Sequence, residues 1–188
     1  STDIRNGFEY GVCDKLTIGI GRSKLGILDG LIKFRALTQT TNDKIPVSLT
    51  FFHSTGFETQ KKIIGDQKYY EYANRFSYFY QVIIARRFSK NFSFQIMPGF
   101  LHRNYVVNPL DNNDLYSLGL AGRLKLTTRF GIIADTYFIS SKLRSPDQNV
   151  YHPPLGLGIE IETGGHVFTI NFTNSAGIIE NTFVECTK

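Results

Sequence analysis

The chain has 188 residues, 41% of them hydrophobic and 20% charged, with a formal net charge of +5. This composition excludes a disordered polymer, and no run approaches the ~18 uninterrupted apolar residues of a transmembrane helix. Basic residues come singly along the chain, not in a patch, and nucleic-acid motifs are absent, so no nucleic-acid partner is expected.

Helical periodicity is almost missing, and strand signals follow one another instead. Ile4–Val12 reads as the first strand and Leu16–Ser23 (LTIGIGRS) as the second. Leu28–Thr40 and Pro46–Phe57 come next, and Asn74–Phe88 is long. Phe92–Arg103, Leu115–Leu126, Phe130–Ser140, Leu155–Glu162 and His166–Thr173 complete ten candidates. Most are long for soluble strands but suit a bilayer crossed at a tilt of roughly 40°. A mean hydropathy of −0.15 does not oppose this, because a barrel strand alternates lipid-facing and lumen-facing residues and its average cancels.

The alternation is regular where it can be tested. Phe92, Phe94, Ile96, Pro98 and Phe100 oppose Ser93, Gln95, Met97, Gly99 and Leu101. Leu118 and Leu120 oppose Gly119, Arg123 and Lys125, and Ile32 and Phe34 oppose Lys33 and Arg35. Leu157 and Ile159 oppose Glu160 and Glu162, and Phe168 and Ile170 oppose Thr169 and Asn171. The polar parity is rich in glycine, at Gly7, Gly11, Gly19, Gly21, Gly99, Gly119, Gly156 and Gly158. A crowded concave face suits small residues, and a lumen of ten or more strands is too wide for aliphatic side chains alone to fill. The polar parity should therefore line a lumen. Ile32, Phe34, Phe94, Ile96, Leu118, Leu120, Leu157, Ile159, Phe168 and Ile170 should face lipid.

The connections also alternate, with short turns at one end and longer loops at the other, the pattern of bacterial outer-membrane barrels. Phe76, Tyr78 and Tyr80 follow a long loop, while Phe92 and Phe130 follow short turns, so two aromatic girdles are expected. The parity of the turns and the even strand number of such barrels predict a further strand at each end, about twelve in all. The expectation is one all-β, transmembrane, antiparallel up-and-down barrel over residues 1–188, in the bacterial outer membrane. Pro98 cannot donate to the ladder, so a bulge is expected there.

Four stretches, Tyr10–Ser23, Leu28–Gln39, Pro46–Gly56 and Phe172–Phe183, resemble a Bacteroidota outer-membrane barrel family of unassigned function. The resemblance implies an outer-membrane β-barrel and brings no catalytic residues to carry over. Against that family, the chain lacks an upstream strand region and the final strand after the IENTF stretch.

Lumen parity collects Arg5, Glu9, Lys33, Arg35, Arg75, Arg87, Arg123, Lys125, Asp135, Glu160 and Glu162. These charges read either as ion pairs filling a narrow lumen or as the lining of a small pore favouring anions. Arg87, Arg123, Lys125, Glu160 and Glu162 lie near the short turns, which predicts a constriction or plug at that end. Glu160 and Glu162 sit about 7 Å apart by strand rise, but neighbouring lumen bases explain them better than glycosidase chemistry does.

His53, His102, His152 and His166 lack metal-ligand spacing. Cys13 and Cys186 fall too far apart in the topology for a disulfide. No cofactor is expected. The loop Glu58–Ala73 carries Lys61, Lys62, Lys68, Tyr69, Tyr70 and Tyr72, suited to solvent, to lipopolysaccharide phosphates or to an envelope protein partner. The functional expectation is a non-enzymatic small pore or a subunit of an envelope complex. A soluble lipocalin-like carrier of an apolar ligand is the alternative, and an outer-membrane hydrolase the third.

Overall fold

Each alternating run becomes a strand in a computed structural model that describes residues 4–24, 26–59, 71–106, 111–140, 153–175, 177 and 179–184. The strands are β1 (Arg5–Cys13), β2 (Leu16–Ser23), β3 (Ile27–Leu37), β4 (Ser48–Glu58) and β5 (Phe76–Arg87), then β6 (Phe92–Arg103), β7 (Asp114–Lys125), β8 (Phe130–Ser140), β9 (Leu155–Glu162) and β10 (Val167–Thr173). They form one ten-stranded sheet in sequential order, and every neighbouring pair is antiparallel, so the chain runs up and down throughout. A single helical turn, α1 (Glu180–Phe183), follows β10. The Lys61–Tyr70 cluster, His152 and Cys186 lie outside the described residues; Cys13 is exposed.

Most strand ends shift by a residue or more from the sequence reading, and two of the shifts have a visible cause. β3 stops at Leu37, not Thr40, because the Thr40 N–H turns back to the Ile45 carbonyl at 3.0 Å and Asp43 takes a positive φ of 54°. β5 starts at Phe76, not Asn74, because Tyr72–Arg75 forms a 3-10 turn.

The bulge expected at Pro98 is absent. β5 and β6 keep one register on both sides of it, Gln81 facing Gly99 and Ile84 facing Ile96. The missing N–H opens the ladder there without inserting a residue. The register shifts fall instead at Gly11/Cys13 and Arg35/Leu37.

The two faces separate as the alternation requires. Ile32, Phe34, Ile96, Leu118, Leu157, Ile159, Phe168 and Ile170 are exposed on one face, and Phe94 and Leu120 are half-buried on the same parity. The opposite parity is concave, because its side chains reach across intervening strands. Gln81 on β5 donates to the Tyr137 hydroxyl on β8 at 3.3 Å, and Arg5 on β1 meets Asp29 on β3. Glycine makes the room this face needs. A Cβ at Gly21 would lie 2.5 Å from the Arg5 guanidinium, and one at Gly119 would lie 2.6 Å from the Tyr137 ring. Among the described residues β1 and β10 are not paired with each other, and most positions of both strands are exposed on both faces.

Candidate functional site

The concave face is the candidate site, and its two halves differ. Toward the long loops it is apolar. Leu31, Phe52, Phe79, Leu101 and Leu115 form one buried cluster, with Phe79, Leu101 and Leu115 at 0% exposure. These residues occupy the polar parity of the sequence reading. Five neighbouring strands each bring one large apolar side chain to that row, where it meets the others instead of water.

The segment after β10 caps this cluster from inside. Val184 joins it at 0% exposure, and Ile179 is buried. Asn181 holds the turn in place through its side-chain amide, which donates to the Ser77 carbonyl at 3.1 Å and the Ser77 hydroxyl at 3.0 Å. Burial pushes the Glu180 carboxyl up, against a backbone hydrogen bond and the charges of Lys33 and Arg5, which lower it. Beside it the Arg5 guanidinium grips Asp29 through two bonds of 3.0 and 2.5 Å, with the Asp29 side chain 1% exposed. At the rim, Arg103 pairs with Asp111 at 2.9 Å in a buried contact and donates to the Asn112 carbonyl.

Toward the short turns the face is ionic. Arg123 donates to both Glu160 carboxylate oxygens, its Nε lying 3.1 Å from each. Lys125 meets Glu162 at 2.8 Å, and at mid-strand, level with Phe52, Lys33 meets Glu9 at 2.8 Å. Arg87 spends its donors on the Ser89 and Lys90 carbonyls of its own turn, each at 3.1 Å. Its backbone and the Gln39 amide exchange bonds of 2.8 and 3.0 Å. Arg35 is exposed, and Asp135 is partly buried against Gly156. A hollow of about 350 Å3 lies here, lined by Gln39, Arg87, Ser93, Gln95 and Arg123 among others.

The structure thus brings Arg5, Glu9, Lys33, Arg123, Lys125, Glu160 and Glu162 into pairs and leaves Arg35, Arg87 and Asp135 outside them. Arg75 falls elsewhere. Its guanidinium lies 5.6 Å from the centre of the Phe57 ring and 4.6 Å from Tyr72, against rings of the outward parity at the long-loop rim. It sits in the 3-10 turn, where strand parity no longer applies. Glu160 and Glu162 each accept from a neighbouring base, Arg123 and Lys125. Among the described residues no group of three His, Cys, Asp or Glu could hold a metal.

The sequence reading missed Asp29, Arg103, Tyr137 and Asn181. Asp29 and Arg103 share the parity of Lys33 and Gln95, so alternation alone could have found them. The buried apolar packing lies in the long-loop half, whereas the sequence reading expected a constriction or plug near the short turns. The signal was present in Met97 and Leu101, large apolar residues in an otherwise polar row.

The outward face carries ring ladders near the long-loop end. Tyr78 stacks toward His102 at 6.4 Å, Tyr80 toward Phe100 at 6.5 Å, and Phe100 meets Tyr116 at 5.2 Å. Phe88 and Phe92 pair at 5.8 Å near the short turns. Such belts mark membrane interfaces. A family model described as a membrane-bound β-barrel domain, DUF5777, matches residues 1–188. The chain matches no curated protein and no solved structure.

Proposed function

Because the chain belongs to this family of membrane-bound β-barrels, we propose that it is an outer-membrane barrel forming a small pore, held shut at rest by the segment that follows β10. One observation carries the reading. Phe79, Leu101, Leu115 and Val184 are fully buried in the long-loop half of the lumen, where a conducting barrel would hold water. The hollow lined in part by Arg87 and Arg123 lies nearer the short turns than this seal. A dry apolar constriction blocks ions by excluding water. Displacing α1 would join the hollow to the outer side.

Once open, the pore takes its selectivity from charges that no ion pair cancels. Among the described residues Arg123, Lys125 and Lys33 have carboxylate partners, so selectivity rests on Arg35 and Arg87 near the inner mouth, with Asp135 as the opposing charge. The reading includes no catalytic step. Lipopolysaccharide at the long loops and an envelope protein partner that moves α1 are part of the same proposal.

Planar-bilayer recording tests it. The intact chain gives no steady current. Asn181→Ala with Val184→Asp, which removes the anchoring amide and places a carboxylate in the seal, opens a small conductance. Adding Arg35→Glu and Arg87→Glu then moves the reversal potential toward cations. Silence from the loosened variant, folded in the same membrane, would overturn the pore and leave a filled barrel that serves as a scaffold in an envelope complex.

A further inference from the structure

The outward face between β4 and β6 carries a dip that the pore reading does not use. By register, one row across the strands reads Phe34, Phe51, Val82 and Pro98, and the row nearer the long loops reads Ile32, His53, Tyr80 and Phe100. Short side chains at Val82 and Pro98 therefore lie beneath a shelf of rings. The result is a groove of about 430 Å3, within the size of small-molecule sites. The paired positions of β5 and β6 skip from Gln81 to Ile84 at this level. His53 does not make the groove polar. Its ring nitrogens lie 3.1 Å from the Phe79 carbonyl and 3.0 Å from the Thr55 hydroxyl, and its ring stacks on Tyr80 at 4.4 Å.

The groove is closed by rings toward the long loops, and the paired Ile84 and Ile96 stand next on the outward face toward the short turns. In that direction, four residues along β5 from Val82, stands Arg86, about 13 Å away by strand rise. It shares the outward parity, an unusual place for a cation on a lipid-facing strand. Its guanidinium lies over the Phe88 ring at 5.4 Å and meets Asp43 only at 3.6 Å, and its Nε has no hydrogen-bond partner. A cation at headgroup level and an apolar slot deeper along the same strand match one phospholipid.

We propose that this face is a binding site for a glycerophospholipid of the short-turn leaflet. Arg86 holds its phosphate, and one acyl chain runs over Ile84 and Ile96 to end in the groove under Tyr80 and Phe100. Arginine suits a phosphate in geometry as well as charge. The site depends on the barrel lying in a membrane and is independent of whether the lumen conducts.

The chain contains no Trp, so single reporters can be placed. Full-length Phe100→Trp and, as a remote lipid-facing control, Leu157→Trp are folded in a mild maltoside detergent. Phosphatidylglycerol with a brominated acyl chain is then titrated in. Quenching at Phe100→Trp is expected at about tenfold lower lipid than at Leu157→Trp, a preference of about 1.4 kcal/mol. Val82→Phe, which fills the groove, and Arg86→Gln, which removes the cation, should each abolish the preference. Arg86→Lys should restore part of it. Equal quenching of the two reporters would overturn the site. So would an unchanged preference in Arg86→Gln, or equal action by brominated diacylglycerol, which has no phosphate. Stronger action by brominated lipid A would assign the face to lipopolysaccharide and also overturn the proposal.

Discussion

Toward the long loops the inward row carries Phe52, Phe79, Leu101 and Leu115; toward the short turns it carries Arg123, Lys125, Glu160 and Glu162. Both halves fill a concave space, by different means. The apolar half excludes water by packing, and its side chains are dry. The ionic half keeps partial hydration, since Arg123 is 40% exposed and the Glu162 side chain 43%. An apolar cluster gains from every buried methylene, whereas a half-hydrated ion pair adds little to stability. The long-loop half thus combines dry packing with the buried pairs Arg5–Asp29 and Arg103–Asp111, and the short-turn half carries the hydrated pairs.

The most damaging changes should fall in the dry half. Phe79→Ala removes a ring with 0% exposure and should cost about 3–5 kcal/mol. The readout is the urea midpoint at which heat-modifiable gel migration is lost. Arg5→Met leaves the buried Asp29 carboxylate without its partner, a loss of similar size, about 3–5 kcal/mol. If both variants unfold at the parent midpoint, the long-loop half is not the stabilising half.

Leu118→Arg tests the outer face on the same scale. A cation there should cost about 2–4 kcal/mol if the residue meets the bilayer centre. No cost in vesicles would place Leu118 away from lipid. The ionic half should respond less. Arg123→Met strands Glu160, whose side chain is 13% exposed, and should cost about 1–2 kcal/mol. The double variant with Glu160→Met should recover part of it. Lys33→Met, at a pair exposed on both sides, should change stability by about 0–1 kcal/mol. A loss at Lys33 as large as that at Phe79 would erase the distinction between the halves.

Much of the architecture was legible in the sequence because strand alternation has a period of two and leaves no freedom in which residues share a face. That rule placed Leu118 and Ile159 outward and put Arg123 on the face of Glu160. It did not place Arg75, because a 3-10 turn interrupts the period just before β5. Nor did it place α1, whose position depends on the Asn181 amide finding Ser77, a contact between distant parts of the chain. The apolar seal was overlooked for another reason. Leu101 and Met97 break the polar row singly, and only the register of five strands shows that such exceptions meet.

Thiol accessibility offers the most direct test of a shut lumen with a lipid-facing outside. In full-length protein with Cys13 and Cys186 replaced by serine, single cysteines are placed by Gln95→Cys in the hollow and Leu118→Cys on the outer face. A membrane-impermeant maleimide is applied to each side of oriented vesicles in turn. The account predicts that Gln95→Cys reacts from the short-turn side alone and that Leu118→Cys reacts from neither. Reaction of Gln95→Cys from both sides, or of Leu118→Cys from either, would contradict it.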